Sequence, residues 1–161
     1  MSVGQGDVQT TPLQVATAFA AIANGGTRYV PHVAHEIVHG DGTVDQVQPE
    51  VAGQLPTSAS ALALIEQGLI GVTAAGGTAG SVFGSFPIAI AGKTGTAELK
   101  PRQPYAWFAA YGPVDDPEYV VVAVVEEGGG GSQTAAPIAR SIFESLYELG
   151  DGEVVVGEAT D

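Results

Sequence analysis

The sequence predicts an α+β fold in which helices cover an antiparallel sheet. Three apolar segments of strand length follow one another in the second half of the chain, at residues 88–97, 105–111 and 119–126. Their connections are short, which favours antiparallel pairing, because parallel neighbours need a crossover of about a dozen or more residues. Segments with apolar residues at helical spacing lie before and after these strands. Helices that flank a run of antiparallel strands indicate the α+β class.

The composition indicates an acidic, folded domain and excludes several classes of partner. The 161 residues carry 5 Lys and Arg against 18 Asp and Glu, so the formal net charge is −13. Such a surface repels nucleic-acid phosphates and offers a membrane no polybasic patch. With 45% hydrophobic and 14% charged residues, the chain has enough apolar matter for a core. It contains no cysteine, no apolar run of membrane-spanning length and no signal peptide in MSVGQGDVQTT.

The first helix is predicted to begin at Thr11-Pro12 and to stop at Gly25-Gly26. Proline fits the first helical turn, where its missing N–H leaves no bond unmade, and the apolar residues that follow recur at helical spacing. The alternating residues from Val33 to His39 predict a strand. Gly40-Asp41-Gly42 then turns the chain into a second strand at 43–47, so the two are expected to form a hairpin.

A linker, a helix and a loop are predicted for the middle of the chain. Residues 49–56 are interpreted as the linker, because prolines bound them. The helix is expected at about Ser58 to Ile70, where leucine and isoleucine recur on one side. The small-residue stretch 71–84 is interpreted as a loop in which Val82 and Phe83 supply apolar side chains to bury.

The third strand and the last helix carry strong apolar patterns. The run from Val120 to Val125 is unbroken, which predicts that both faces of the strand are buried. The last helix is predicted at about Thr134 to Leu149, and its apolar residues at i, i+4, i+8 and i+11 are expected to lie on the sheet. These residues are Ile138, Ile142, Leu146 and Leu149. One domain is therefore expected over 1–149, followed by an acidic tail at 150–161.

The most distinctive local feature is the segment 91–97, Ala-Gly-Lys-Thr-Gly-Thr-Ala, inside the first strand of the predicted sheet. A lysine beside two hydroxyl side chains, with glycines that allow close backbone approach, can bind a carboxylate or a phosphate. A phosphate-binding P-loop is rejected, because Pro87 stands where that motif needs its first glycine and no helix follows. On spacing alone, the alternative of a half-exposed strand whose Lys93 and threonines face water stays open.

Four motifs in order along the chain carry a family resemblance. They are Gly4-Gln5-Gly6 with Thr11-Pro12-Leu13-Gln14 and Ala23-Asn24-Gly25-Gly26; Gly77-Thr78-Ala79; Phe86-Pro87-Ile88 leading into Lys93-Thr94-Gly95-Thr96-Ala97-Glu98; and Ala106-Trp107-Phe108 with Gly112-Pro113. On these motifs, which cover residues 2–148, the sequence resembles the transpeptidase domain of class B penicillin-binding proteins. The Gly-Gln-Gly opening is more similar to the cell-elongation type than to the division type. The resemblance implies the C-terminal half of the fold that penicillin-binding proteins share with serine β-lactamases.

The resemblance assigns roles to the matching positions. Lys93 is implied to line one wall of the active site, where it sets the electrostatics around catalytic serines and attracts the terminal carboxylate of the substrate. The hydroxyls of Thr94 and Thr96 are implied to bind that carboxylate in a D-Ala-D-Ala stem peptide or a β-lactam. The backbone N–H of Thr96 is implied to be one of two oxyanion-hole donors, and Gly95 to leave room for a ligand backbone. Trp107 is expected to pack in the sheet.

The sequence departs from the family at the nucleophile. The family's Ser-x-x-Lys and Ser-x-Asn motifs are both absent from these 161 residues: neither lysine has a serine three positions earlier, and the single asparagine, Asn24, follows Ile22. In the family both motifs precede the Gly-Gln-Gly region, so the resemblance implies half a transpeptidase domain. Removing the serine of a serine hydrolase costs on the order of 10⁶ in turnover. We therefore expect neither transpeptidation nor covalent penicillin capture by this chain alone.

Two functional hypotheses from different classes remain open. In the first, the chain is part of a peptidoglycan D,D-transpeptidase that cross-links cell wall by serine acyl transfer, with Lys93 and Thr96 as catalytic residues and Thr94, Gly95 and Thr96 binding the substrate. In the second, it is a free-standing, non-catalytic remnant or a carboxylate-binding interaction module. A Ser-x-x-Lys motif in frame just upstream would favour the first.

No metal site and no cofactor are predicted. His35 and His39 share a strand face but have no further ligands near them in the sequence, and His32 and His39 are expected on opposite faces. Asp115-Asp116, directly before Pro117, predicts a turn and not a pair of catalytic carboxylates.

The expected partners and location also follow from the resemblance. The partners are the stem peptide, β-lactams and the missing N-terminal half of the domain. In the family a strand from that half pairs with the valine-rich strand. Val120 to Val125 is therefore expected to be an exposed edge through which the isolated chain self-associates, unless Glu153 to Val156 cover it. Family members have an N-terminal membrane anchor and work outside the cytoplasmic membrane; produced without that anchor, this chain is expected to stay in the cytoplasm.

Overall fold

The chain forms four helices and seven strands within the residues that the structure, a computed structural model, describes: Gly6 and residues 8–149. In chain order they are α1 (Pro12–Ala23), β1 (Thr27–Tyr29), β2 (Glu36–Val38), β3 (Val44–Gln46), β4 (Val51–Gln54), α2 (Ala59–Thr73), α3 (Gly80–Phe83), β5 (Ala91–Ala97), β6 (Tyr105–Gly112), β7 (Tyr119–Val125) and α4 (Ala135–Leu146). None of these helices is long and apolar enough to cross a membrane.

The central sheet has the order β5-β6-β7, with antiparallel pairing throughout. Helices α3 and α4 cover one of its faces, where Phe83 of α3 stacks on Phe108 of β6 with ring centroids 5.3 Å apart. Helices α1 and α2 cover the other face, around the buried side chains of Ala91 and Tyr111. The predicted α+β class, with helices on an antiparallel sheet, is confirmed.

The predicted start of the first helix is confirmed, with a cap at Thr11. The Thr11 hydroxyl accepts a hydrogen bond from the backbone N–H of Gln14 at 3.2 Å, and the Gln14 side chain accepts one from the N–H of Thr11 at 2.8 Å. This reciprocal capping box satisfies two N–H groups that the first helical turn leaves without partners. Gly25, at a φ of +81°, turns the chain away after the helix.

The hairpin at 33–47 is confirmed with shorter strands, and the linker at 49–56 was a wrong interpretation. β2 pairs with β3, as predicted. Residues of the expected linker form β4, which pairs with β1 in the register Thr27↔Gln54. The two prolines bound this strand and do not interrupt it, and its partner lies more than 20 residues away in the chain, so no local pattern marks it.

The loop interpretation of 71–84 was also wrong in part. Helix α2 continues to Thr73, one turn beyond the predicted end, and residues Gly80–Phe83 form the short helix α3. Phe83 is 4% exposed, as the need for a buried anchor anticipated. The turn between the helices is tight: a Cβ on Gly77 would lie 2.2 Å from the carbonyl oxygen of Gly71. The strand predicted from Ile88 begins at Ala91.

Helix α4 is present, but the face predicted to lie on the sheet points away from it. Ile138, Ile142, Leu146 and Leu149 are 39–44% exposed. The buried face consists of Ala135, Ala136, Ala139 and Phe143. Alanines let the helix approach the sheet closely, and Phe143 fills the remaining space. The face of α4 that contacts the sheet is therefore the one with the small side chains, and the larger aliphatic side chains lie on the other face. The predicted orientation of this helix was therefore wrong.

Strand β7 lies at the edge of the sheet and pairs only with β6 among the residues that the structure describes. Val121 and Ala123 are buried, whereas Val120, Val122, Val124 and Val125 are half-buried. Burial of both faces is therefore only partial. Beside this edge, α1, Tyr29 and Val120 line an apolar groove of about 220 Å³. The segment Glu153 to Val156, and the acidic tail at 150–161 to which it belongs, lie outside the described residues.

Candidate functional site

Strand β5 carries the Lys-Thr-Gly-Thr segment on an open edge of the sheet. β5 pairs with β6 on one side, and no other described strand pairs with it. Its first residues, Ala91 and Gly92, are buried, Thr94 and Gly95 are half-buried, and Lys93, Thr96 and Ala97 are exposed. The strand therefore enters the core at one end and presents its other end to solvent.

The alternation of the strand separates the lysine from the threonines. Lys93 lies opposite Ala109 in β6, whereas Thr94 lies opposite Phe108. Because side chains of a strand alternate between faces, Thr94 and Thr96 share one face and Lys93 lies on the other. The sequence-predicted residues thus meet along the open edge of one strand and not in a closed pocket.

The Lys93 side chain folds back toward this edge. Its Nζ donates a hydrogen bond to the carbonyl oxygen of Thr94 at 2.7 Å. An ammonium group has three donors, so two remain for a ligand. Three other cationic side chains each lie within 4.0 Å of a carboxylate: Lys100 with Glu98, Arg102 with Glu127 and Arg140 with Glu144. Lys93 forms no ion pair with any residue described in the structure, which leaves its charge available to an anion.

Gly95 lies against Trp107 and the glycine-rich loop after β7. A Cβ on Gly95 would come within 3.0 Å of the Cβ of Trp107, a tighter contact than most side chains make, so Gly95 keeps this position free of a side chain. Gly131 is buried against the backbone of both residues: its own Cβ would lie 2.4 Å from the carbonyl oxygen of Gly95. Trp107 is half-buried in β6 beside Gly95, in keeping with the expected packing in the sheet.

A third threonine, Thr78, contacts Thr94, and no role was predicted for it from the sequence. The hydroxyl oxygens of Thr78 and Thr94 lie 3.0 Å apart. Thr78 belongs to the Gly77-Thr78-Ala79 motif, 16 residues before Thr94, which carries part of the family resemblance but no implied role. Its presence among four motifs was the one available signal. The site thus has threonine hydroxyls on one face of the strand and an ammonium group at its edge, which suits a carboxylate.

The histidines lie apart from this edge and form no metal centre. His39 Nε2 is 2.8 Å from Asp45 Oδ2 across the β2–β3 hairpin, and His32 Nδ1 contacts the carbonyl oxygen of Ala34. Within the described residues, no group of three His, Cys, Asp or Glu side chains is placed to hold a metal ion.

The two tyrosines whose pKa values are raised also lie away from the exposed half of β5. Burial, together with the nearby carboxylate of Glu66, raises the pKa of Tyr111 to about 12. Burial and the charges of Glu118 and Tyr119 raise the pKa of Tyr147 to about 12. Both phenols are neutral at physiological pH; Tyr111 lies in β6, and Tyr147 directly follows α4.

Comparison with known proteins identifies the family of the chain. Residues 1–144 match the family model described as the penicillin binding protein transpeptidase domain. The chain is 34% identical over 161 residues to the peptidoglycan D,D-transpeptidase MrdA of Haemophilus influenzae. This alignment covers 89% of the chain and 25% of that protein. The fold of the chain is also similar to that of solved penicillin-binding proteins.

The first of these is the imipenem acyl-enzyme complex of penicillin-binding protein A from M. tuberculosis, with a TM-score of 0.78 and 31% identity over 91% of this chain and 33% of that one. The second is Pseudomonas aeruginosa PBP2 in complex with WCK 5153, with a TM-score of 0.74 and 29% identity over 97% of this chain and 35% of that one. The chain thus spans about a quarter to a third of these relatives. The family resemblance predicted from the sequence is confirmed: the chain belongs to the transpeptidase family of class B penicillin-binding proteins.

Proposed function

We propose that this chain supplies the carboxylate-binding wall of a peptidoglycan D,D-transpeptidase, and that the nucleophilic serine comes from polypeptide outside these 161 residues. The observation that carries the proposal is the open edge of β5, where the Lys93 ammonium lies 2.7 Å from the Thr94 carbonyl oxygen and where Thr94 and Thr96 share one face of the strand. A carboxylate only accepts hydrogen bonds, and this strand carries two kinds of donor, an ammonium group and threonine hydroxyls.

In the proposed reaction, the D-Ala-D-Ala end of a stem peptide lies along β5. The hydroxyls of Thr94 and Thr96 donate to its terminal carboxylate, and Lys93 holds the local potential positive. The bare backbone at Gly95 allows the ligand to approach the strand. The serine oxygen attacks the carbonyl of the penultimate D-Ala, the backbone N–H of Thr96 stabilises the oxyanion, and the terminal D-Ala leaves before an amine takes over the acyl group. A β-lactam occupies the same wall by presenting its own carboxylate.

The chain alone is proposed to be inactive in this reaction. No Ser-x-x-Lys or Ser-x-Asn motif occurs in its sequence. Loss of the serine removes on the order of 10⁶ in turnover, and loss of the second oxyanion donor removes about 10² to 10³. What remains is binding of the carboxylate. The complete protein is proposed to act at the outer face of the cell membrane, where peptidoglycan is assembled.

The binding role is tested by NMR titration of the ¹⁵N-labelled chain. The ligands are N-acetyl-D-alanyl-D-alanine and its C-terminal amide, which differ only in the charged group. We expect the carboxylate to shift the amide signals of Thr94 and Thr96 and to bind more tightly than the amide. A hydrogen bond to a charged group contributes about 1.5–3 kcal/mol, so Thr94→Val or Thr96→Val should weaken carboxylate binding by about tenfold or more.

The matched control is Thr10→Val, at an exposed threonine just before α1, which should change nothing. Equal affinity of the wild-type chain for the acid and the amide would contradict the proposed function.

We also propose that the outer edge of β7 pairs with a second copy of β7 when the chain is isolated. Among the described residues this edge has no strand partner, and four of its valines are half-buried. Unpaired backbone groups at such an edge are a template for strand addition, and antiparallel self-pairing closes as a two-fold dimer. Sedimentation should then show a concentration-dependent dimer. Within Val120 to Val125, amide-exchange protection should increase with concentration at the alternate residues whose N–H groups point away from β6. Strong protection of those outward N–H groups in a dilute monomer would contradict an open edge.

A further inference from the structure

Thr78 stands on a turn that the backbone of α2 holds tightly. A Cβ on Gly77 would lie 2.2 Å from the carbonyl oxygen of Gly71, and one on Gly80 would lie 2.4 Å from that of Ala74. Ala79 is fully buried, and its N–H donates to the carbonyl oxygen of Val72 at 2.8 Å. Thr78 therefore sits between positions that pack closely against the end of α2.

The same turn is fixed from the side of the sheet. Phe83 of α3 stacks on Phe108 of β6, with ring centroids 5.3 Å apart, and Phe108 lies directly opposite Thr94 in the β5–β6 register. Arg140 of α4 donates to the carbonyl oxygen of Val82. The core thus fixes the backbone on both sides of the pair, and the hydroxyl oxygens of Thr94 and of Thr78, which is exposed, lie 3.0 Å apart.

A bound carboxylate determines which of the two hydroxyls donates the hydrogen bond between Thr78 and Thr94. Each hydroxyl has one proton, so only one of the two can donate in the Thr78–Thr94 bond. A carboxylate only accepts, so Thr94 must give its proton to the ligand. Thr78 must then be the donor to Thr94, and a hydrogen bond received by Thr94 strengthens the one that it gives.

We infer that Thr78 is a positioning residue of the carboxylate site: its hydroxyl donates to Oγ1 of Thr94 and so directs the Thr94 proton to the carboxylate of the ligand. This inference rests on the proposed function. It adds a residue that does not need to touch the ligand and that acts through Thr94. The role depends on the hydroxyl and not on the methyl group or on the shape of the turn.

The test uses the same NMR titration with two variants at this position. Thr78→Val has nearly the same shape as threonine but no hydroxyl, and it should weaken binding of N-acetyl-D-alanyl-D-alanine about three- to tenfold, which is the range of one ordinary hydrogen bond. Thr78→Ser keeps the hydroxyl and should bind within about twofold of the wild-type chain. Binding of the C-terminal amide should not change in either variant.

The outcomes separate this inference from the proposed function. If the wild-type chain prefers the acid and Thr78→Val retains that preference, the role of Thr78 is overturned and the proposed function stands. If both variants weaken binding equally, or if the amide is affected as much as the acid, Thr78 acts through packing alone and the inference is overturned. If the wild-type chain shows no preference for the acid, both are overturned.

Discussion

Replacing Gly131 with alanine is expected to destabilise the sheet next to the strand that carries the site. The new Cβ would lie 2.3 Å from the carbonyl oxygen of Trp107, 2.4 Å from that of Gly95 and 2.9 Å from the Gly95 nitrogen. All three are backbone atoms of the paired strands β5 and β6, so they cannot swing aside as the end of a side chain can. Either the loop after β7 or the strand pair must move.

Two opposing effects determine how much the free energy of unfolding changes. Overpacking a well-packed region costs about 1–3 kcal/mol, whereas the smaller entropy of an unfolded alanine chain returns about 0.4–1 kcal/mol. Contacts as short as 2.3 Å with rigid atoms place the cost at the upper end of that range. We therefore expect a net loss of about 2–2.6 kcal/mol in the free energy of unfolding, a large share of the roughly 5–15 kcal/mol of an ordinary domain.

The neighbouring Gly130 provides a matched control. Its nearest contact would be Oε1 of Gln133 at 3.5 Å, an ordinary distance to the end of a flexible side chain, and its φ lies outside the left-handed region. Gly130→Ala should change the free energy of unfolding by less than about 0.5 kcal/mol. Urea unfolding can be followed by the fluorescence of Trp107, the single tryptophan of the chain. A Gly131→Ala variant as stable as Gly130→Ala would refute the close packing of the loop on the sheet.

Three further perturbations test the packing. Thr11→Ala removes the cap of α1 and should lower the free energy of unfolding by about 0.5–2 kcal/mol in urea; no change would argue against the capping box. Phe143→Ala should cost about 3–5 kcal/mol and Ile142→Ala under about 1 kcal/mol, since only the first is buried, and the reverse order would restore the predicted orientation of α4. Since the pKa of Tyr111 is raised from 10.0 to about 12, its contribution to stability is complete below pH 10 and is lost as pH rises through about 12. Tyr111→Phe should flatten that decline in alkaline urea titrations, and an unchanged slope would contradict the assignment.

Elements with local signals were predicted well from the sequence. Helix α1 is marked by Thr11 and Pro12 at its start and by glycines at its end, and the structure places its cap there. The strands of the central sheet are marked by continuous apolar residues and short connections, and their order and antiparallel pairing follow from both. Such signals lie within a few neighbouring residues, so they can be recognised in the sequence without the folded structure.

Features that depend on distant partners were not predicted. β4 exists because β1 offers its edge, and its own four residues, with Gly53 among them, have weak strand propensity. The orientation of α4 was wrong because its sequence has two apolar faces, and the sheet accepts the alanine face that allows close approach. Which face is buried depends on the shape of the sheet, which periodicity does not describe.

The site shows the same division. The Lys93–Thr96 segment was recognisable because its residue types lie next to one another on one strand, and the structure places them on the exposed half of β5. The Thr78–Thr94 contact joins residues 16 positions apart through a turn that only the packed core fixes. A motif in the sequence indicated that Thr78 mattered, but the partner of its hydroxyl became visible only in three dimensions.

The intact mass of the purified chain after incubation with excess benzylpenicillin tests the central claim most directly, namely that the nucleophile lies outside these 161 residues. A complete class B penicillin-binding protein, treated in parallel, shows that the penicillin is reactive. We expect the complete protein to gain the mass of one penicillin and this chain to gain none. A stoichiometric adduct on this chain that survives denaturation would contradict the claim, and peptide mapping would then identify the residue that carries it.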